Sequence, residues 1–393
     1  MILTCQLILF VSLFLIFHAY VLFPIILKIL SSNKKQNQLS YSINDDELPT
    51  VSILLAAYNE EEVIEKKIKT TFETTYPPEK IEFLIGSDAS TDKTNGIIKA
   101  HCEKYGQLKL VEFPGRSGKA KIINELAKRA VNEMLILTDA NVFFTKDTIF
   151  HLLKHYKNTD IKLVGGNIIN YGVSKDGISF QEKAYISREN RIKYEEGVIW
   201  GTMIGAFGGC YSISKEYFAP VPPNFYMDDF YITMNVLENK KKCINEPDAI
   251  CYEDVSNKIS EEFRRKIRIS IGNYQNLKRY RNLVFSLFTG LSFCFISHKI
   301  LRWFCPFLLI FSLIANIFLF QEGIFFKATL ISQLILILIP LLDAVLRKLK
   351  LNLNLLRFIS HFYLMNLALL IGFFRFIIGV KTNIWQPTQR FQK

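Results

Sequence analysis

The run from Ile2 to about Leu30 is nearly unbroken apolar sequence, interrupted by His18 and closed by Lys28, and further apolar runs follow residue 297. Crossing a bilayer takes roughly 20 such residues. The chain is half apolar, with 33 Phe and only 21% charged residues, and this excess is concentrated at the two ends. The first run (1–30) has no basic start beyond its amino group and is long for a cleaved signal, so it reads as a retained anchor. Ile300 to Phe320, Ile324 to Val345 and Leu355 to Val380 make residues 297–380 a membrane block. The last of these carries Arg357, His361 and Arg375, and reads as one tilted span or a broken pair. Lys34 and Lys35, the basic stretch near residue 300 and the basic loop Arg347 to Lys350 argue for a cytoplasmic middle. The expectation is a multi-pass protein of the cell (inner) membrane.

The formal charge of +12 suits nucleic acid, an anionic lipid surface or an anionic substrate. No recognition module or aromatic stacking platform accompanies it, so nucleic acid is not expected as a partner. Seven Cys are scattered without a CxxC or a ligand spacing to His. That pattern indicates neither a zinc site nor a disulfide framework, and fits a reducing compartment.

Residues 31–49 are polar and read as a linker. From Thr50, short β-type runs alternate with helical ones: 51–57, 81–86, 108–113 and 135–138 are strands. Such alternation implies parallel pairing and a doubly wound α/β sheet. Each strand then ends in a polar cluster on one sheet edge, where ligands bind in open α/β sheets. Those clusters are Asn59-Glu60, Asp88, Gly118-Lys119 and Asp139. Asp139 and Asn141 stand two residues apart and offer oxygen donors suited to Mg²⁺ or Mn²⁺. Asp and Asn also favour turns, so a plain strand-end turn is the alternative there, and Asp88 and Asp92 equally suit a turn and a helix cap.

Four runs in order resemble the nucleotide-sugar-binding half of family 2 glycosyltransferases: Ala57-Tyr58-Asn59-Glu60-Glu61, Ser87 to Asp92, Gly118 to Asn124, and Asp139-Ala140-Asn141. The similarity covers about residues 50–275. It implies a GT-A-type domain (50–257) with a mixed, mostly parallel sheet, flanked by transmembrane helices. It implies that Tyr58 and Glu60 border the base and ribose, that Asp88 accepts from the base, and that Ala57, Ala140 and Asn141 line the donor pocket. Lys119 and Arg116 would neutralise diphosphate oxygens, and Asp139 with Asn141 would hold the metal. Gly208, Gly209 and Cys210 resemble the acceptor-facing loop. Asp228-Asp229 resembles the family's acidic pair, making Asp229 the general base and Asp228 its neighbour in the catalytic pair.

Residues 258–296 read as basic amphipathic interfacial helices, with Phe263, Ile267, Ile271 and Tyr274 at helical spacing. Arg265 and Arg268 fall where the family carries QxxRW and would contact the acceptor, although Ile269 stands in the place of the Trp that stacks on sugar in processive members. Trp385, Thr388 and Arg390, in the tail 381–393, resemble a motif that covers the nucleotide diphosphate, which requires a cytoplasmic tail. Three full C-terminal spans would put that tail on the other side, so either one segment is re-entrant or interfacial or the tail lacks that role. The reading is an inverting glycosyltransferase of cell-surface polysaccharide synthesis, taking a nucleotide-diphosphate sugar, with UDP-sugar expected, to a lipid-linked or saccharide acceptor beside membrane lipids. Its rivals are a processive synthase that exports its polymer, a non-catalytic nucleotide-sugar-binding membrane protein, and a transport subunit.

Overall fold

The computed structural model describes residues 1–171, 179–254, 259–286, 289–349, 351 and 353–380. The N-terminal run is a single helix, α1 (Ile2–Ser31), with a widened turn at His18–Leu22. It is more than a tether. Its upper side chains are largely exposed, but Phe23 and Leu27 are wholly buried in the core beneath the central sheet. The polar stretch that follows is docked as well. Gln36 donates to the Asn245 carbonyl at 2.8 Å, the Tyr41 amide to that of Lys154 at 2.8 Å, and Leu48 is buried. The expected linker is therefore a strap laid across the domain, because its amides find carbonyl partners there instead of water.

The α/β alternation begins as the sequence implies. It runs β1 (Val51–Ala57), α2 (Ile64–Phe72), β2 (Ile81–Ser87), α3 (Thr94–Lys104), β3 (Leu108–Glu112), α4 (Lys119–Arg129) and β4 (Met134–Thr138). These four strands pair in parallel, with Leu55 of β1 opposite Ile85 of β2 and Thr138 of β4. β1, β2 and most of β4 are buried on both faces, as strands covered by helices should be.

The second half departs from a doubly wound plan. After β5 (Val142–Phe144), α5 (Thr148–Leu153), β6 (Ile161–Tyr171) and α6 (Ser179–Trp200) comes β7 (Cys210–Ser214), which enters the sheet antiparallel between β4 and β6. α7 (Asp228–Glu238) and β8 (Lys242–Asp254) complete the sheet, in the order β3-β2-β1-β4-β7-β6-β8-β5. The result is the mixed sheet expected, with the change of direction at β4/β7, beside Asp139.

α8 (Ile259–Arg279) is the basic amphipathic helix. Its apolar face does not lie open to lipid: Ile267 and Ile271 pack on Ala368 of the last helix, α12 (Asn354–Ile378). A Cβ at Gly372 of α12 would fall 2.3 Å from the Ser270 Cβ and 2.9 Å from the Ile267 carbonyl oxygen, so only glycine allows that approach. The segment expected as one span from Ile300 is instead two helices, α9 (Gly290–Trp303) and α10 (Cys305–Phe318), bent by 62° at Phe304. Pro306, early in α10, cannot continue the hydrogen-bond ladder of the preceding helix. α11 (Ile324–Lys348) and α12 are each long enough to span, and α12 is one unbroken helix. Among the described residues, α1, α11 and α12 are long and apolar enough to cross a membrane, with the bent pair α9–α10 as a fourth if it counts as one span.

Candidate active site

The C-terminal ends of β1, β2 and β4 carry the groups expected on the donor side, and they fall into two clusters. In the first, the Arg116 guanidinium lies over the Tyr58 ring at 3.3 Å and donates to Asp88 at 3.0 Å. The Asp88 carboxylate also accepts the backbone N–H groups of Ser117 and Gly118 and is fully buried. Asp88 therefore closes the 115–118 loop onto β2, and Arg116, expected on the diphosphate, here rests on the Tyr58 ring and Asp88. A base could reach Asp88 only after that loop moved. Ala57 is likewise sealed inside β1.

In the second cluster, Lys119 opens α4 and bridges two halves of the molecule. Its ammonium lies 2.7 Å from Asp139 Oδ1 and 3.7 Å from Asp228 Oδ2. Burial alone would lower its pKa, but Asp139 and Asp228 hold it raised. The turn after β4 has a brace that the sequence reading missed. Lys67 of α2 donates to Thr138 Oγ1 at 2.9 Å and to the Val142 carbonyl at 2.6 Å, straddling Asp139-Ala140-Asn141. Burial lowers its pKa to about 8. The Asn141 amide nitrogen lies 3.5 Å from a Glu253 oxygen.

Asp139, Ala140 and Asn141 open onto a cavity of about 700 Å³, together with Glu60, Lys119, Asp228 and Asp229. Asp229, in the first turn of α7, has one oxygen on the Phe230 amide at 2.7 Å. The other faces Gly208: a Cβ there would sit 2.9 Å from Asp229 Oδ2, so the bare glycine keeps this oxygen uncovered. Burial, then the adjacent Asp228, raises the Asp229 pKa to about 6. Gly208 and Gly209 line the cavity. Cys210 does not: it is the first residue of β7, fully buried in the core, because alternation along the strand turns it away from the loop.

The cavity continues past Arg265 and Arg268 of α8 toward Phe358, His361 and Asn366 of α12. The basic side of α8 thus serves an interior as well as a surface. Arg265 pairs with Glu262 at 3.4 Å. Facing it is α6, whose Glu182, Glu189 and Glu196 recur every seven residues and are nearly fully buried. Glu182 holds His361 at 2.8 Å and Lys266 at 3.4 Å. Glu189 holds His298 at 3.0 Å, Lys299 at 2.9 Å and Arg302, while Glu196 takes the other ring nitrogen of His298 at 2.8 Å. Burial pushes the Glu189 carboxyl up, but Lys299, His298 and Arg302 hold it well below the usual range. The sequence reading passed over these acids as a polar helix. Their heptad spacing, set against cations inside apolar segments, was the available signal. Trp385, Thr388 and Arg390 lie outside the described residues.

Glycosyl transferase family 2 matches residues 52–218. The chain is 26% identical over 236 residues to a poly-β-1,6-N-acetyl-D-glucosamine synthase of Staphylococcus epidermidis, covering 58% of this chain and 56% of that protein. It is 28% identical over 260 residues to the protein of that name from Staphylococcus aureus (strain COL), covering 63% and 59%. The chain thus matches less than two thirds of the length of these curated relatives. In fold it is similar to the mannosyltransferase PcManGT from Pyrobaculum calidifontis, solved with GDP-Man and Mn²⁺. That likeness has a TM-score of 0.72 at 20% identity and covers 95% of this chain and 99% of that one. The GT-A architecture is therefore shared along almost the whole chain.

Proposed function

We propose, the chain being a family 2 glycosyltransferase by its residues 52–218, that it moves a sugar from a nucleotide-diphosphate donor to a hydroxyl of a membrane-proximal acceptor, with inversion. The observation that carries this reading is the shared cavity. Asp139 and Lys119 stand on its donor side and the uncovered Asp229 oxygen on its acceptor side.

Tyr58 and Glu60 lie at the end of β1, where a base and ribose would rest. Lys119, released from Asp139, supplies a cation for a diphosphate at the start of α4. Asp139 and Asn141 would hold Mg²⁺ or Mn²⁺. Their donors are oxygens, as hard cations require, and the ammonium now resting on Asp139 and Asp228 marks a place that stabilises positive charge. When bound, the metal would stabilise the charge developing on the departing diphosphate.

Asp229 Oδ2 would take the acceptor proton. It must be ionised to do so, and its raised pKa of about 6 keeps it so at neutral pH while leaving it a stronger base than an ordinary carboxylate. Attack from the Asp229 side, with the diphosphate leaving from the Asp139 side, is an in-line displacement that inverts the anomeric centre. Arg265, Arg268 and Gly209 would shape the acceptor arm. A cytoplasmic catalytic domain in the inner membrane is part of this reading. A bent α9–α10 that does not cross would put the tail on the same side.

Membranes carrying the full chain, supplied with a panel of UDP- and GDP-sugars, test it by nucleotide release. Release that needs a divalent cation and is lost in Asp229→Asn supports the reading; release from no donor, with nucleotide-sugar binding intact, would favour a non-catalytic binder. The names of the staphylococcal relatives favour a second reading, processive synthesis of a polymer. Product length from the purified enzyme separates the two.

A further inference from the structure

Among the described residues, several cations lining the cavity have no counter-ion at bonding distance, and one of them is almost fully buried. Lys193 of α6 is 2% exposed and lines the cavity. Its ammonium stands 3.2 Å above the centre of the Phe207 ring, and among the described residues it has no hydrogen bond or ion pair. The acids nearest along its own helix are engaged elsewhere. Glu189 is taken by His298, Lys299 and Arg302. Glu196 takes His298 through one oxygen and the Ile204 amide, at 3.0 Å, through the other. A buried ammonium left this way is costly unless something in the cavity uses it.

Phe207 is followed directly by Gly208, whose missing Cβ uncovers Asp229 Oδ2. Lys193 and Asp229 thus stand on either side of one short loop and face the same space. We propose that Lys193 is a positioning residue for Asp229: held on the Phe207 ring behind the 205–209 loop, its ammonium keeps the carboxylate ionised and turned into the cavity while acceptor displaces water. This rests on Asp229 being the base of the proposed transfer. Ten charged or titratable groups bear on the pair: Lys193 itself with Glu189 and Glu196 from α6, His298, Lys299 and Arg302 from α9, Asp228 with Asp229 from α7, Lys119 from α4, and Asp139 after β4. Burial, and then Lys299, lower the Lys193 pKa to about 7, while Glu189 and Asp229 support its charge. Asp229 in turn is held down by Lys119 and Lys193 against burial and Asp228.

The test has two arms on the detergent-solubilised full chain. In the first, trace acetic anhydride labels lysines across a pH series and mass spectrometry reads the midpoint for Lys193, with exposed Lys128 as internal reference. Asp229→Asn should lower the Lys193 midpoint by about one pH unit, the usual size of an opposite-charge effect at short range, and leave Lys128 unmoved. Phe207→Leu keeps both charges but removes the supporting ring, and should also lower it, which serves if the first variant does not fold. In the second arm, nucleotide release from UDP-N-acetylglucosamine and GDP-mannose is followed against pH. Lys193→Met should move the acidic limb of kcat/KM up by about one unit, and Lys193→Arg should restore it. A Lys193 midpoint indifferent to Asp229→Asn but lowered by Glu196→Gln would overturn the proposal, leaving Lys193 as balance for its own helix. Absence of turnover with both donors would count against the transferase reading alone, since the labelling arm still decides the coupling.

Discussion

The two sides of the cavity, proposed for donor and for acceptor, are built on different principles. On the donor side, each polar group sits just past the end of a parallel strand, within a few residues of the apolar run that sets its position: Asp88 after β2, Asp139 after β4. On the acceptor side, the groups come from helices more than a hundred residues apart in sequence, joined by buried ions such as Glu189 with His298 and Arg302. A sheet edge places side chains through backbone hydrogen bonds, which no single substitution removes. A buried ion network places them through side chains alone, and it loses its geometry when one charge goes.

That contrast can be broken in four ways, from the largest expected effect to the smallest. Asp229→Asn removes the proposed base: kcat should fall by about 10²–10⁴-fold with nucleotide-sugar binding retained. In the unsubstituted enzyme the rate should decline as pH falls through about 6, where the raised pKa of Asp229 lets it protonate, and hold above it. Glu189→Gln leaves Lys299 and Arg302 buried without their acid and should cost about 3–5 kcal/mol of stability, read by denaturant unfolding in detergent. If it costs no more than the same change at exposed Glu65, the acceptor side is not held by its ions. Gly372→Val forces α12 away from Ser270. It should cost about 1–3 kcal/mol, as overpacking does, and should raise KM for acceptor more than for donor. Arg116→Ala removes the cover of Tyr58 and one of the partners of Asp88. KM for the nucleotide sugar should rise roughly thirtyfold, since about 1 kcal/mol from the ring contact and a similar amount from the ion pair go together, with kcat little changed.

How much could be read beforehand follows the same division. β1 to β4 were legible because each is a short apolar run closed by turn formers, and the polar ends could be assigned to one edge from topology alone. β8 was not read as a strand, because Asn245, Glu246, Pro247 and Asp248 interrupt its pattern. It pairs all the same, through a register shift against β6 at Gly165/Asn167. Asp228 and Asp229 were found by resemblance, and the structure brings both to the cavity with Asp139. Arg116 was expected on the diphosphate because a helix-start cation suggests phosphate, and in the structure its direction is set by Asp88 and Tyr58, on two other loops. Cys210 was misread because the glycine-rich run ends one residue before it. Glu182, Glu189 and Glu196 offered only their heptad spacing as a sign, and Lys193 none: a charged residue on a helix reads as solvated until another helix is known to cover it.

The burial of Phe23 and Leu27 beneath the central sheet has a consequence for where the chemistry happens. On the proposed reading one helix carries both membrane-facing and core residues, so the height of the reaction centre above the bilayer would be a built-in dimension of the protein. The proposed acceptor would have to present its hydroxyl at that level, and cutting the helix away would strip apolar surface from the enzyme's own interior. Reach, as much as recognition, would then decide which molecules at the membrane are glycosylated.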